Sequence, residues 1–215
     1  MTNVPKRTSN RYYLAFDPEF DPEKCHMKFR MTYDGCLQSD GTAQHKHALR
    51  REFHPQLKRL WEVDPNLKVF ADNGIPRLNM LADQYTRLGY RFVPLATSDL
   101  SLIAAIDILF LRPGEPGSVI PSGDIDNRLK TLFDALRMPD FKDELGGYLT
   151  PTVDEDPFFV LLQNDKLISH VAVETDVLLQ STHSAKGDFL PNHARLIITV
   201  ILRPYKVAIG NMHFV

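Results

Sequence analysis

The sequence predicts an α+β fold, a mixed β-sheet packed with helices, and three observations lead there. Apolar segments with the two-residue alternation of strands are interleaved with stretches of helical periodicity. Several of those strands follow one another closely enough to read as hairpins, where a doubly wound parallel sheet would alternate strand and helix more strictly. The balance of 43% hydrophobic and 24% charged residues over 215 positions is that of a globular domain, neither disordered nor fibrous.

Residues 1–23 are polar and punctuated by proline, and read as a loosely held N-terminal arm. Residues 24–215 read as a single domain. Its first strand is "KCHMKFRMTYDGC", closed by the turn-rich "QSDGT". "AQHKHALRREFHPQLKRLWEV" then places Leu49, Phe53, Leu57, Leu60 and Trp61 at helical spacing. Pro55 lies inside it, so a kink or a pair of short helices is expected. His47, Arg51, His54 and Lys58 fall on another face, either a solvated surface or a track for phosphates. Pro76 can open a further helix through Leu78, Leu81, Ala82, Tyr85 and Leu88, with Gly89 as its cap.

"YRFVPL" and "LSLIAAIDILFLRP", separated by "ATSD", are expected to form a hairpin, with Pro94 suited to an edge. A helix is expected over "DIDNRLKTLFDALR". An insert at about 138–158 follows, mostly irregular, with a short helix from Pro157 capped by Asp156 through "FFVLLQN". "KLISHVAVETDVLL" and "ARLIITVILRP" complete the domain as two strands joined by a polar turn.

Several functional classes are disfavoured at once. The longest apolar run is interrupted by Asp107 and is too short to span a bilayer, so no membrane role is expected. The first ten residues lack the apolar core of a secretion signal, which points to the cytoplasm. Two cysteines, Cys25 and Cys36, suit a reducing compartment and are too few for a zinc site. A net charge of −2 argues against a protein that coats nucleic acid indiscriminately. The charge is nevertheless uneven. Residues 44–61 carry Lys46, Arg50, Arg51, Lys58 and Arg59 against Glu52 alone, and residues 139–156 are strongly acidic.

Chemistry concentrates in residues 122–137, "SGDIDNRLKTLFDALR". Leu129, Leu132, Phe133 and Leu136 fall on one helical face, and Asp126, Lys130 and Asp134 form a stripe bordering it. Asp124 stands at the N-cap. One reading is a ladder of ion pairs at i, i+4 and i+8 beneath a favourable helix dipole. The other is a metal site, because two carboxylates two residues apart at a helix entrance can hold a hard divalent cation that keeps several waters. A lysine one turn on can then meet the charge that develops on a phosphate.

The segment "DIDNRLKTLFDAL" resembles the signature of RusA-type Holliday junction resolvases, D-x-D-N-x-x-K-x-x-x-D-A-L. Asp124, Asp126, Asn127, Lys130, Asp134, Ala135 and Leu136 match every fixed position. "NDKLISHVAVE" is similar to the acidic segment and strand that follow in that family, and "ARLIITVIL" to its last strand. The resemblance implies a RusA-like fold and an Mg-dependent endodeoxyribonuclease that cuts four-way DNA junctions as a homodimer, using Mg²⁺ or Mn²⁺. Carried over by residue, Asp124, Asp126 and Asp165 hold the metal and Lys130 acts on the scissile phosphate. Asn127 and Asp134 support them or cap the helix.

The family usually has paired acids where this chain has Asn164–Asp165, and basic residues where the loop before Asp124 has none. DNA contacts are therefore expected from Arg50, Arg51, Lys58 and Arg59, or from Arg128 and Arg137. The acidic run Asp154, Glu155 and Asp156 is a rival source of the third carboxylate. A non-catalytic member of the fold, binding branched DNA or another protein, is the alternative function.

Overall fold

The computed structural model describes residues 27–72, 77–113, 124–179, 192–208 and 211. The N-terminal arm and most of the loop before Asp124 lie outside them. In chain order the elements are β1 (Met27–Cys36), α1 (Ala43–Val63), α2 (Pro65–Asp72), α3 (Arg77–Gln84), β2 (Thr86–Arg87), β3 (Tyr90–Ala96), β4 (Leu102–Arg112), α4 (Asp124–Leu136), β5 (Phe158–Leu162), β6 (Ile168–Val177) and β7 (His193–Pro204). The class is α+β, as the sequence predicts. No helix among the described residues is long and apolar enough to cross a membrane.

Four strands form the main sheet in the order β1-β7-β4-β6. β7 runs antiparallel to both β1 and β4, and β6 runs parallel to β4. Strict alternation sets the register: Phe110, Ile108, Ile106 and Ala104 of β4 stand opposite Leu196, Ile198, Val200 and Leu202 of β7. All eight are buried. Slipping either strand by one residue would turn this apolar ladder outward, which is why the pairing is unique. Leu49, Phe53, Leu57 and Trp61 of α1 and Leu132 and Leu136 of α4 join the same core.

Of the two expectations at Pro55, the pair of short helices is corrected, because α1 is one helix of 21 residues. Pro55 is exposed, so the carbonyl deprived of its partner faces water, where the loss is smallest. Thr42 caps the start by accepting from the His45 amide.

Three further expectations are corrected. β3 and β4 are both strands but do not pair: β3 belongs to a second sheet, β2-β3-β5. "FFVLL" is the strand β5, parallel to β3, and all five of its residues are buried. A short apolar run suits a fully buried strand as well as a helix, and the partner strand decides between them. Gly89 (φ +88°) does not cap α3; with Leu88 (φ +57°) it turns β2 into β3. The two expected closing strands are formed as β6 and β7, on either side of β4, and most of the segment joining them lies outside the described residues. The sequence reading also missed α2.

The insert is a buttress. Met138, Leu145, Phe158 and Val160 build a second core with Tyr85, Tyr90 and Phe92. Gly146 (φ +59°) brings this segment so close to α1 that a Cβ there would lie 2.3 Å from Cα of Gln44. The α1 face expected to be solvated or to follow phosphates is the surface it covers. His47 and His54 are buried, and the His54 ring lies 4.6 Å from that of Phe158.

Candidate active-site groove

Helix α4 shows its amphipathic design directly. Leu132 and Leu136 are buried, Leu129 and Phe133 sit half-covered at the edge of the core, and Asp126 and Lys130 are exposed. Beyond α4 the chain passes through the insert and β5, then makes a tight turn over Asp165–Leu167 into β6. Buried Leu167 pins that turn to the core. The Asn164 side chain caps it by accepting from the Lys166 amide at 3.1 Å, and the Ile168 amide donates to the Asp165 carbonyl. The amide at position 164 therefore shapes the turn that presents Asp165.

The two segments face each other across an open groove of about 690 Å³. Leu129, Phe133, Ile168 and Val171 give it an apolar floor, and Asp126, Lys130, Asp134, Asp165 and Lys166 give it charged walls. Four residues singled out in the sequence thus come together: Asp126, Lys130, Asp134 and Asp165. Asp124 opens α4, but its side chain lies outside the described residues. Asn127 is half-buried beside the groove and lies outside its lining. Of the rival acids, Glu155 is buried against Arg51 and the Thr152 amide, and Asp156 pairs with Arg91. Neither of them, nor Asp154, lines the groove.

The ion-pair ladder along α4 is not formed. Among the described residues, Asp126 and Lys130 have no ion pair. Asp134 instead accepts from Lys46 at 2.7 Å and from Arg137 at 3.4 Å. This ties α4 to α1 and leaves Lys130 available to an anion in the groove.

The expected DNA-binding cations are mostly engaged in holding the fold. Arg50 is 1% exposed and donates to the carbonyls of Asp134 and Arg137, the open C-terminal end of α4. Burial pushes its guanidinium down to about 10, so it stays charged at neutral pH. Arg51 pairs with Glu155 and lies over the Tyr148 ring. Arg128 is buried and donates to the Leu37 carbonyl and the Asn192 side chain. Arg137 bonds Asp134, Asp140 and Glu144. None of these four offers its charge to a phosphate without breaking internal contacts. Lys58 donates to the Asp154 carbonyl, and exposed Arg59 pairs with Glu62.

The residues missed by the sequence reading are Lys166 and the apolar floor. Lys166 adjoins Asp165, and that adjacency was the available signal; the floor depends on where β6 lies beside α4.

No three His, Cys, Asp or Glu side chains converge as a metal-holding group among the described residues. Asp126 and Asp165 nonetheless both line the open groove, and their carboxylate oxygens are the ligand type that a hard divalent cation takes. That chemistry fits magnesium or manganese. Comparison with protein-family models, curated proteins and solved structures finds no match.

Proposed function

We propose that this groove is the active site of a metal-dependent, structure-selective DNA endonuclease that resolves four-way junctions, in keeping with the resemblance to RusA-type resolvases. One observation carries the reading. Asp126, Lys130 and Asp165, which lie in a motif and a separate downstream segment, line one groove, and among the described residues Lys130 has no ion pair.

Asp126 and Asp165, with Asp124 at the head of α4, would hold the ion. When bound, magnesium or manganese supplies an activated water and a counter-charge for phosphoryl oxygens. Lys130 donates to a non-bridging oxygen of the scissile phosphate and stabilises the charge that builds there. Lys166, on the opposite wall, holds the neighbouring phosphate. The Asp134–Lys46 pair and the Arg50 cap fix α4 on α1, so Lys130 meets the phosphate from a rigid support.

A second reading has one observation in its favour. Two free carboxylates, and not three, line the groove among the described side chains, which suits a protein that binds branched DNA without cutting it. Incubating the chain with a synthetic four-way junction, with and without Mg²⁺ or Mn²⁺, separates the two. Paired symmetric nicks that vanish in Asp126→Asn and Asp165→Asn support the endonuclease. Tight junction binding with no nicks in either metal selects the binding protein. Weak binding that ignores DNA shape removes both.

A further inference from the structure

The groove is built for more than phosphates. Asp126, Leu129, Lys130 and Phe133 line it from α4 at spacings of i, i+3, i+4 and i+7, so charged and apolar side chains share one stripe of the helix. Asp165 and Lys166 line it from the turn before β6, and Ile168 and Val171 from β6 itself. Leu129, Phe133 and Ile168 are half-buried, and Val171 is 39% exposed. Elsewhere the same helix and sheet bury their apolar residues almost completely: Leu132, Leu136, Ile106 and Ile108 are at most 2% exposed. Among the described residues, an apolar strip of four side chains, contributed equally by α4 and β6, thus lies open between Lys130 and Lys166.

The strip is a poor bed for a DNA backbone. A phosphate laid on it would lose water without gaining a hydrogen bond, which costs free energy. A paired duplex has little else to offer, because its base faces are stacked on one another and its grooves display base edges. An unpaired nucleotide differs. It carries a phosphate on either side of one flat apolar face, which matches Lys130, the strip and Lys166. Bases taken out of a helix pack between aromatic and apolar side chains, and single strands stack their bases on aromatic rings. Phe133 is the ring available here, and Leu129, Ile168 and Val171 extend the surface around it. The groove's volume of about 690 Å³ falls within the range of about 300–1,000 Å³ of pockets that enclose a small organic group.

We propose that the groove takes one unpaired nucleotide, with Lys130 and Lys166 on its flanking phosphates and its base unstacked on Phe133, Leu129, Ile168 and Val171. The inference deepens the endonuclease reading and rests on it for the position of the cut. It narrows the substrate to DNA in which the nucleotide beside the scissile phosphate can leave its stack. Unstacking costs least where a base is mismatched or already single-stranded. At a branch the strand leaves one duplex for another, and a base there is withdrawn with less loss than one inside a duplex. The site then selects branched DNA through the base as well as through charge.

Binding of three labelled ligands of equal length to the full chain, at low salt with Ca²⁺ as the hard cation, tests this. They are oligo-dT, the same strand annealed to oligo-dA, and an abasic phosphodeoxyribose strand. Oligo-dT is expected to bind about tenfold tighter than either of the others, the scale of one stacked base. An abasic strand or a duplex that binds as tightly as oligo-dT overturns the proposal, and so does an absence of binding to all three. Phe133→Leu keeps an apolar side chain against the core and removes the ring. It is expected to reduce the preference for oligo-dT over the abasic strand about fivefold, with circular dichroism unchanged. Val171→Ser, at an exposed position, should lower that preference in the same direction. If neither variant changes the ratio, the base lies elsewhere and the proposal falls. The nicking assay keeps the two readings separate. A chain that nicks junctions but holds the abasic strand as well as oligo-dT sinks the base site alone. A chain that prefers oligo-dT through Phe133 yet nicks nothing sinks the endonuclease alone.

Discussion

Lys130 and Asp134 are one helical turn apart on α4, yet they do different work. Lys130 lines the groove with no ion pair among the described residues, whereas Asp134 is locked between Lys46 and Arg137. Lys130→Ala is therefore expected to slow cleavage of bound junction by about a hundredfold, the scale of losing one donor to a developing oxyanion, with little change in binding. Single-turnover kinetics beside a gel-shift titration measure both. A collapse of affinity with unchanged cleavage of bound DNA would make the lysine a grip. Asp134→Asn removes a half-buried pair and is expected to cost about 1–2 kcal/mol of stability, with a smaller loss of activity than Asp126→Asn. Urea unfolding and the nicking assay read these; equal activity losses would bring Asp134 into contact with the metal. Asp126 and Lys130 were legible in the sequence because a helix repeats every 3.6 residues and the chemistry lies within two turns. The fates of Arg50 and Arg128 were not, since the carbonyls they cap belong to segments far away in the chain.

At the scale of elements, α1 and the insert form the interface that sequence periodicity could not reveal. Helical spacing shows which α1 residues share a face but not what covers it, and a face carrying His47, Arg51, His54 and Lys58 looks wet until the insert is in place. β5 hid for a related reason: five consecutive apolar residues carry no period, and only pairing with β3 makes them a strand. The interface has a measurable consequence. The Nδ1 atom of His47 meets Arg50 at 2.9 Å, and burial, reinforced by the charges of Arg50 and Arg51, pushes the imidazole down to about 4. Burial lowers His54 as well. The unfolded chain takes up a proton near pH 6.5 that the folded chain refuses until about pH 4. Stability from this site is thus complete above pH 6.5 and is lost as pH falls through that window, by roughly 3 kcal/mol for His47. Urea midpoints between pH 8 and pH 4.5 should fall steadily below 6.5, and the slope should shrink in His47→Gln. An unchanged slope in that variant would exclude His47 as the cause. Burial on its own would raise the Glu155 carboxyl, but hydrogen bonds from Thr152 and Arg51 outweigh it and hold it low, so its contribution is lost in a more acidic range.

For the whole molecule, the question is how a chain of net charge −2 can hold DNA. Affinity for a polyanion depends on how many cations can release counterions from phosphates. Arg50, Arg51, Arg128, Arg137 and Lys46 are committed to internal partners, and withdrawing any of them would loosen α1, α4 or the insert. Among the described residues, the cations left lining the groove are Lys130 and Lys166. If the groove is the proposed active site, junction affinity should fall with salt at a slope of about −2 per bound chain in log K against log salt, well short of the −10 of a strongly basic binder. Lys130→Ala and Lys166→Ala should each make the slope shallower by about 1 per bound chain, and Arg59→Ala should leave it unchanged. Fluorescence anisotropy on a labelled junction between 50 and 300 mM NaCl measures this. A slope near −6 per bound chain would mean that cations outside the groove carry the DNA. An effect of Arg59 equal to that of Lys166 would place the DNA along α1 and not in the groove.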